Sequence, residues 1–352
     1  MSAERKILII YTGGTIGSVH DPMNGSLVPI DFSQITSHVP ELNRAGINMD
    51  AVSFSPPIDS SNVNPSHWIN IANVVYKHHD KYDGFVVLHG TDTIAYTASA
   101  LSFMLEGLRK PVILTGSQLP IGMPRTDGRE NLLSAVMLAA HPNPKNPDSD
   151  RVEWGESTIQ EVAVYFGNQL FRGNRTHKES AESLHAIVSP NYPSLVTAGV
   201  EFNVRKHNLY RAPEGELIRH DQFESKVAWL PLFPGMSLEV LERVLCWDEL
   251  RGVVLGTFGS GNAPDNNQFK SLLKHAQSRG VTIVNVTQCG HGGVKQEMYA
   301  TSLMLADCGV ISGGDMTTEA ALIKLMMLLG ETEDNQEIRK GILKDLRGER
   351  TV

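Results

Sequence analysis

The sequence has 352 residues, which at about 150 residues per domain predicts two domains. Hydrophobic residues make up 41% and charged residues 20%, so the chain can bury a sizeable core, and wholesale disorder is excluded. The net charge of −8 argues against nucleic acid or a membrane surface as a partner, because both attract basic surfaces.

Cysteine usage and the N-terminus both bear on location. Cys246, Cys289 and Cys308 are too widely spaced for a disulfide framework or a CxxC pair, which is typical of a reducing compartment. The first apolar run, Ile7–Ile10, is too short for the core of a signal peptide. No stretch approaches the roughly 18 apolar residues that a membrane-spanning helix needs. We therefore expect a cytoplasmic protein.

In the first half of the chain, apolar runs alternate with helical patterns. The runs predict strands that are covered on both faces, at Ile7–Tyr11, Phe85–His89 and Pro111–Thr115. Apolar residues spaced three and four apart predict helices at Trp68–Tyr76, Ala95–Leu108 and Asn131–Ala140. Strand–helix alternation of this kind is typical of a parallel sheet with helices on its faces.

Two further segments of this half have distinct patterns. Val162–Phe166 and the run that starts at Gln169 predict a hairpin around Gly167-Asn168. The proline-rich segment 141–156 predicts an exposed loop.

The second half predicts another α/β block. Its predicted strands are Val227–Leu232, Gly252–Leu255 and Val281–Val286, and its predicted helices are Leu238–Trp247, Gln268–Ser278, Met316–Leu329 and Gln336–Leu346. The predicted fold is α/β, with a larger N-terminal, mostly parallel sheet domain (1–204) and flanking helices. A polar linker (205–225) leads to a smaller C-terminal α/β domain (226–352), which we expect to carry oligomer contacts.

Two glycine-rich turns follow predicted strands of the first half. Thr12-Gly-Gly-Thr15 follows the first strand, and His89-Gly-Thr91-Asp92 follows the next. Ligands of open α/β sheets bind at the carboxyl ends of strands, and glycine lets the backbone approach a ligand closely. Thr15 breaks the G-x-G-x-x-G pattern and no P-loop motif is present, so a nucleotide site is disfavoured.

Together, the two turns closely resemble motifs of the bacterial-type L-asparaginase family. The segment 95–105 is similar to the type I, cytoplasmic branch of that family. The resemblance extends over nearly the whole chain, through Ile58-Asp-Ser-Ser61, Thr115-Gly-Ser-Gln118, Arg172-Gly-Asn-Arg-Thr-His-Lys178, Gly259-Ser-Gly-Asn262, Thr287-Gln-Cys289 and Gly313-Gly-Asp315.

The resemblance implies hydrolysis of the side-chain amide of L-asparagine without a cofactor or metal. Thr15 would attack the amide, form an acyl-enzyme and release ammonia, after which water would release aspartate. Thr91, Asp92 and Lys178 would supply or relay the base. Burial favours a neutral Lys178, whereas the Asp92 carboxylate favours its charged form, and the sequence leaves both states open.

The resemblance also implies how the substrate is held. Backbone N–H groups at Gly14-Thr15 and Gly90-Thr91, with Ser117 nearby, would form the oxyanion hole. The groups that hold the α-amino and α-carboxylate ends would be Asp59, Ser60, Ser61 and Asp92. The family further implies a homo-oligomer, either a dimer or a dimer of dimers (a homotetramer).

The chain departs from the family pattern in two places. The segment 20–29 lacks the tyrosine that activates the nucleophile in many relatives, and Tyr299 from a neighbouring subunit is a tentative substitute. Some type I enzymes bind asparagine at a second, regulatory site. Here Cys289 is present, but Gly256 stands at the position of its arginine and His177 at that of its threonine, which argues against the site.

Alternative functions stay open at this stage. L-Glutamine differs from asparagine by one methylene, so a broader asparaginase/glutaminase is one alternative. The amidase subunit of a tRNA-dependent amidotransferase is a second alternative. It is disfavoured, because that subunit carries an extra N-terminal domain, whereas the first predicted strand here begins at Ile7. A non-catalytic amino-acid sensor is favoured by the missing loop tyrosine and disfavoured by the intact Thr15, Thr91 and Lys178.

Overall fold

The computed structural model describes residues 5–20, 27–29, 32–144, 154–295 and 300–351. The chain divides into two compact units, Met1–Arg219 and His220–Val352. None of the helices in these described stretches is long and apolar enough to cross a membrane.

The first unit combines strands with four α-helices in its described part. Its helices are α1 (Phe32–Ser37), α2 (Pro65–His78), α3 (Ile94–Met104) and α4 (Gly128–Ala139). Its strands are β1 (Lys6–Gly13), β2 (Ser18–His20), β3 (Leu27–Pro29), β4 (Asn48–Ile58), β5 (Gly84–Leu88), β6 (Leu105–Glu106), β7 (Val112–Thr115), β8 (Pro142–Pro144), β9 (Trp154–Ser157), β10 (Val162–Phe166), β11 (Gln169–Arg172), β12 (His177–Lys178), β13 (Ile187–Val188), β14 (Val196–Ala198), β15 (Phe202–Val204) and β16 (Ile218–Arg219).

Eight of these strands form the main sheet, in the order β15-β14-β11-β10-β7-β5-β1-β4. The neighbours from β4 to β10 are parallel, and those from β10 to β15 are antiparallel. From β1 the chain passes to β4 on one side and then to β5 on the other, so the strand order reverses between β1 and β5. Such a reversal opens a crevice at the carboxyl ends of the two strands.

The central strands are fully buried, as continuous apolar runs predict. Every residue of β5 and β7 is buried, and α4 packs against both strands. Helix α2 starts with a capping box at Asn64 and turns Trp68, Ile71 and Val75 inward. The sheet and its helices thus provide a rigid support for the turns at the strand ends.

The hairpin prediction is confirmed, and two other local predictions need correction. β10 and β11 pair antiparallel through Gly167 (φ 57°) and Asn168 (φ 65°), the positive angles that a two-residue turn needs. Helix α3 ends at Met104 rather than Leu108, because β6 pairs with β16 there. The ends of the predicted loop 141–156 pair as β8 and β9, while 145–153 lie outside the described residues.

The second unit contains a smaller, fully parallel sheet. Its strands are β17 (Val227–Pro231), β18 (Gly252–Thr257), β19 (Thr282–Thr287) and β20 (Ile311–Ser312), paired in that order. Its helices are α5 (Leu238–Leu245), α6 (Asn267–Ser278), α7 (Ala300–Asp307), α8 (Thr318–Glu331) and α9 (Asn335–Leu343). The predicted α/β class, with a large mostly parallel sheet and a separate smaller one, is confirmed.

The segment 205–225, predicted as a linker, is partly built into the first unit. Arg172 donates a hydrogen bond of 2.8 Å to the carbonyl of the buried Asn208. The β6–β16 pairing holds Ile218 and Arg219. These contacts explain why the first unit continues to Arg219 instead of ending at 204.

The second unit contains a buried ion pair between helix α8 and the C-terminal segment. Lys324 Nζ lies 2.5 Å from Glu349 Oε1, and both side chains are fully buried. Lys324 also donates to the carbonyls of Ile342 and Lys344, and Glu349 accepts from two backbone N–H groups. The remaining hydrogen-bonding capacity of both charges is thereby largely satisfied.

We predict that Lys324→Met destabilises the second unit by about 3–5 kcal/mol, because it leaves the Glu349 carboxylate buried without its cation. The free energy of unfolding in urea measures this. The control is Lys340→Met at an exposed position of α9, which should change stability by no more than about 0.5 kcal/mol. Equal effects of the two substitutions would contradict the prediction.

Candidate active site

The chain makes a tight turn directly after β1. Gly14 has φ 88°, a left-handed conformation that favours glycine, and a short 3₁₀ turn follows at Thr15–Gly17. The buried hydroxyl of Tyr11 donates a 2.8 Å hydrogen bond to the Gly17 carbonyl. The turn is thus held from inside the core while Thr15 stays partly accessible.

The turns after β1 and β5 are in direct contact. A Cβ atom on Gly14 would lie 2.5 Å from the backbone nitrogen of Gly90, which no real Cβ tolerates. A Cβ atom on Gly90 would overlap Ser60 Oγ in the same way. The Thr12 hydroxyl also donates to the Leu88 carbonyl at 2.8 Å. Only glycine fits at 14 and 90, and the backbone N–H groups of the two turns are brought together.

The segment after β4 completes one wall of this crevice. Asp59 caps a 3₁₀ turn at Ser60–Asn62 by accepting a 3.0 Å hydrogen bond from the Ser61 backbone N–H. The Thr93 hydroxyl donates to the Ser60 carbonyl at 2.7 Å, which ties this turn to the one after β5. The Asp59 carboxylate therefore has a defined position beside the crevice.

Lys178 reaches the same place from β12. Its Nζ atom donates to Thr91 Oγ1 at 2.9 Å and to Asp92 Oδ1 at 2.6 Å. The Lys178 side chain is 18% exposed and that of Asp92 is 62% exposed, so the carboxylate faces the open side. Lys178 thus links the Thr91 hydroxyl to the Asp92 carboxylate at the edge of the crevice.

These groups line one cavity of about 480 Å³ within the first unit. The cavity brings together eight of the predicted site residues: Gly14, Thr15, Asp59, Ser60, Gly90, Thr91, Asp92 and Lys178. A larger groove of about 750 Å³ lies beyond Pro57–Asp59, between the end of β4 and helix α2. We assign the candidate site to the smaller cavity, because it contains the strand-end turns and the Lys178–Asp92 ion pair.

The other three predicted residues differ in position. Ser117 is buried, and its hydroxyl donates to the Leu119 carbonyl at 2.6 Å. Ser61 is exposed next to the cavity and contributes its backbone N–H to Asp59. Tyr299 lies outside the described residues. Within the described stretches, no side chain hydrogen-bonds to the Thr15 hydroxyl.

Sequence reasoning missed Gln118, which lines the cavity and bonds to Thr91. The available signal was its position directly after β7, next to β5 in the sheet. A glutamine side chain is neither nucleophilic nor charged, so its residue type alone does not indicate a site.

A second missed feature is the buried histidine before the Gly90 turn. His89 Nδ1 lies 2.7 Å from the Gly90 carbonyl and Nε2 lies 3.0 Å from Thr97 Oγ1, which accepts from Trp68 Nε1 at 3.2 Å. A carbonyl only accepts, so Nδ1 carries the hydrogen and Nε2 accepts from Thr97. Burial lowers the pKa of His89 from 6.5 to about 4. The neutral ring therefore anchors the turn that carries Thr91.

Two family models together match most of the chain. The family model for the asparaginase N-terminal domain matches residues 6–210, and the one for the glutaminase/asparaginase C-terminal domain matches residues 226–341. L-asparaginase 1 of Escherichia coli K12 is 42% identical over 351 residues, which cover 99% of this chain and 98% of that protein. A mouse protein named 60 kDa lysophospholipase is 40% identical, with 100% of this chain covering 64% of it.

A solved structure shows the same similarity in three dimensions. The crystal structure of L-asparaginase I from Vibrio cholerae has a TM-score of 0.88 and 40% identity, with 99% of this chain and 100% of that chain covered. The chain and its site thus define an amidohydrolase. More narrowly, the chain belongs to the asparaginase family, which confirms the resemblance inferred from the two glycine-rich turns.

We predict that His89 makes the fold acid-sensitive. In the unfolded chain a histidine binds a proton below about pH 6.5, whereas buried His89 does so only near pH 4, so acidification through this window favours unfolding. When the pH falls from 7.5 to 4.5, the free energy of unfolding should decrease by about 2–3 kcal/mol more in the wild type than in His89→Gln. Urea unfolding at each pH measures this.

The control is His207→Gln, at an exposed position of the same unit, which should follow the wild-type pH dependence. Parallel pH curves for His89→Gln and the wild type would contradict the prediction.

Proposed function

We propose that this protein hydrolyses the side-chain amide of L-asparagine to L-aspartate and ammonia, with Thr15 as the nucleophile. The observation that carries the proposal is the Lys178 ammonium, which bridges Thr91 and Asp92 in the cavity that Thr15 also lines. Membership of the asparaginase family and the similarity to L-asparaginases support the choice of substrate.

The reaction proceeds in two balanced halves. Thr15 Oγ forms a bond to the amide carbon while its proton passes to the leaving nitrogen, and the C–N bond breaks to release ammonia. Water then adds to the ester, and its proton returns to Thr15 Oγ as aspartate leaves. In both halves the backbone N–H groups of the two touching turns stabilise the oxyanion.

Charge recognition positions the amino acid. Asp59 and Asp92 are two exposed carboxylates at one cavity, a combination suited to the α-ammonium group of the substrate. Lys178 prevents uncompensated repulsion between them by neutralising Asp92 at 2.6 Å. Ser60 adds a small hydroxyl side chain that lines the same wall, and Ser61 and Ser117 remain assigned from the family resemblance.

The proposal includes location and assembly. We infer a cytoplasmic homo-oligomer, a dimer or dimer of dimers, in which Tyr299 of a neighbouring copy activates Thr15. The widely spaced cysteines support the location. The absence of a partner for the Thr15 hydroxyl among the described residues supports activation by a group from elsewhere.

L-Glutamine is the second candidate substrate, because the C-terminal family model describes glutaminases together with asparaginases. One extra methylene changes transition-state binding by about 1–3 kcal/mol, which corresponds to a preference of roughly 10–200-fold. We expect glutamine hydrolysis at the same site, slower than that of asparagine by a factor in this range.

We predict that Thr15→Ala lowers ammonia release from L-asparagine at least about a thousandfold, because no nucleophile remains to form the ester. Ammonia release by purified enzyme measures this. Ser271→Ala, which removes an exposed hydroxyl on α6, is the control and should retain wild-type activity. A folded wild type that binds asparagine and releases no ammonia would favour the amino-acid sensor instead.

We further predict that the rate depends hyperbolically on asparagine concentration, because we infer that the chain has no second, regulatory site for asparagine. The Trp229 indole covers the space over Gly256, where a Cβ atom would overlap its ring, so the position has no room for the arginine of the family's regulatory site. His177 and Cys289 are exposed. Initial rates over a wide range of concentrations test this, and a sigmoidal curve would contradict it.

A further inference from the structure

Among the described residues that line the cavity, Gln118 is the one that follows β7. The proposed reaction gives its side chain no role. Its amide nitrogen Nε2 donates to the Ala181 carbonyl at 3.0 Å, and its amide oxygen Oε1 accepts from Thr91 Oγ1 at 3.1 Å. It therefore connects the segment after Lys178 to the threonine that Lys178 contacts.

The orientation of this amide follows from its partners. A carbonyl oxygen only accepts hydrogen bonds, so Ala181 requires the NH₂ group of Gln118 on its side. The amide oxygen is thereby left facing Thr91. The arrangement excludes the flipped amide, which would set two acceptors against each other at Ala181.

The hydrogen of the Thr91 hydroxyl is determined in turn. The Lys178 ammonium can only donate, so Thr91 Oγ1 accepts from it at 2.9 Å. The single hydroxyl hydrogen of Thr91 then goes to Gln118 Oε1. One lone pair of Thr91 Oγ1 remains, and Thr91 lines the cavity.

We propose that Gln118 is a positioning residue that holds the Thr91 hydroxyl as a hydrogen-bond acceptor toward the reacting molecule. A group that donates, either the amide NH₂ of the substrate or the attacking water, then meets a lone pair of Thr91 instead of its hydrogen. The proposal rests on the proposed function, which places Thr91 in the catalytic group.

The backbone around Gln118 is held firmly enough for this role. The Asp127 carboxylate accepts hydrogen bonds of 3.0–3.1 Å from the backbone N–H groups of Gln118 and Leu119. Asn131 donates both to Asp127 at 3.2 Å and to the Gly116 carbonyl at 3.0 Å. The loop after β7 is thus pinned to the start of α4, and the Gln118 amide has a defined starting point.

The first test is Gln118→Met, which keeps the length of the side chain and removes its amide. The Thr91 hydrogen is then free to turn into the cavity, and kcat for asparagine should fall about tenfold while KM changes less than about threefold. Gln268→Met, at an exposed position of α6, is the matched control and should keep both constants. Wild-type kcat in Gln118→Met would overturn the proposal.

The second test uses Gln118→Glu and a pH profile. An ionised carboxylate is repelled by the Ala181 carbonyl and moves out of reach of Thr91, whereas a protonated one donates to Ala181 and accepts from Thr91 through its other oxygen, as the native amide does. The charged groups around it are Lys178, Asp92 and Asp127. The ratio of variant to wild-type kcat should rise as the pH falls from 8 to 5, by about threefold or more. A ratio that stays flat would overturn the proposal.

A double-substitution experiment separates this inference from the proposed function. If Gln118 acts through Thr91, Gln118→Met should cost nothing further in a Thr91→Val background. Full activity of Thr91→Val alone would instead overturn the proposed role of Thr91. A tenfold additional loss in the double variant would overturn only the inference about Gln118.

Discussion

The contact on which the site depends is the one that Lys178 makes with Thr91 and Asp92. A lysine on a short strand after β11 and two residues of the turn after β5 are joined by bonds of 2.9 and 2.6 Å. The ion pair sets the charge of the cavity and fixes the hydroxyl of Thr91 from one side. Without it, two carboxylates would face one small space, and the segment that carries Lys178 would lose two hydrogen bonds to the turn after β5.

The sheet makes this contact reachable. Because the strand order reverses between β1 and β5, their two turns emerge side by side, and each is too tight for any residue but glycine at 14 and 90. β4 and β7 flank them and contribute Asp59 and Gln118. Asp59, Gln118 and the two turns, which are far apart in sequence, thus meet because they follow neighbouring strands.

The sequence predicted most of this arrangement because its signals are local. Buried parallel strands appear as continuous apolar runs, so β1, β5 and β7 were found, and the glycine turns that end β1 and β5 pointed to Thr15 and Thr91. β4 was not predicted, since its polar residues and two adjacent prolines interrupt any apolar run. β20 was not predicted either, because it is only two residues long. The roles of Gln118 and His89 depend on hydrogen-bond directions, which no sequence pattern carries.

The contact between Gly14 and Gly90 also bears on how such a protein can change over time. Here the backbone of one turn contacts the backbone of the other, so these two positions tolerate almost no substitution. Altered substrate preference must therefore arise at the rim, where Pro57 and Ala181 present side chains that can be exchanged without moving the two turns. A library intended to redesign selectivity would gain most from varying these two positions while leaving both glycines untouched.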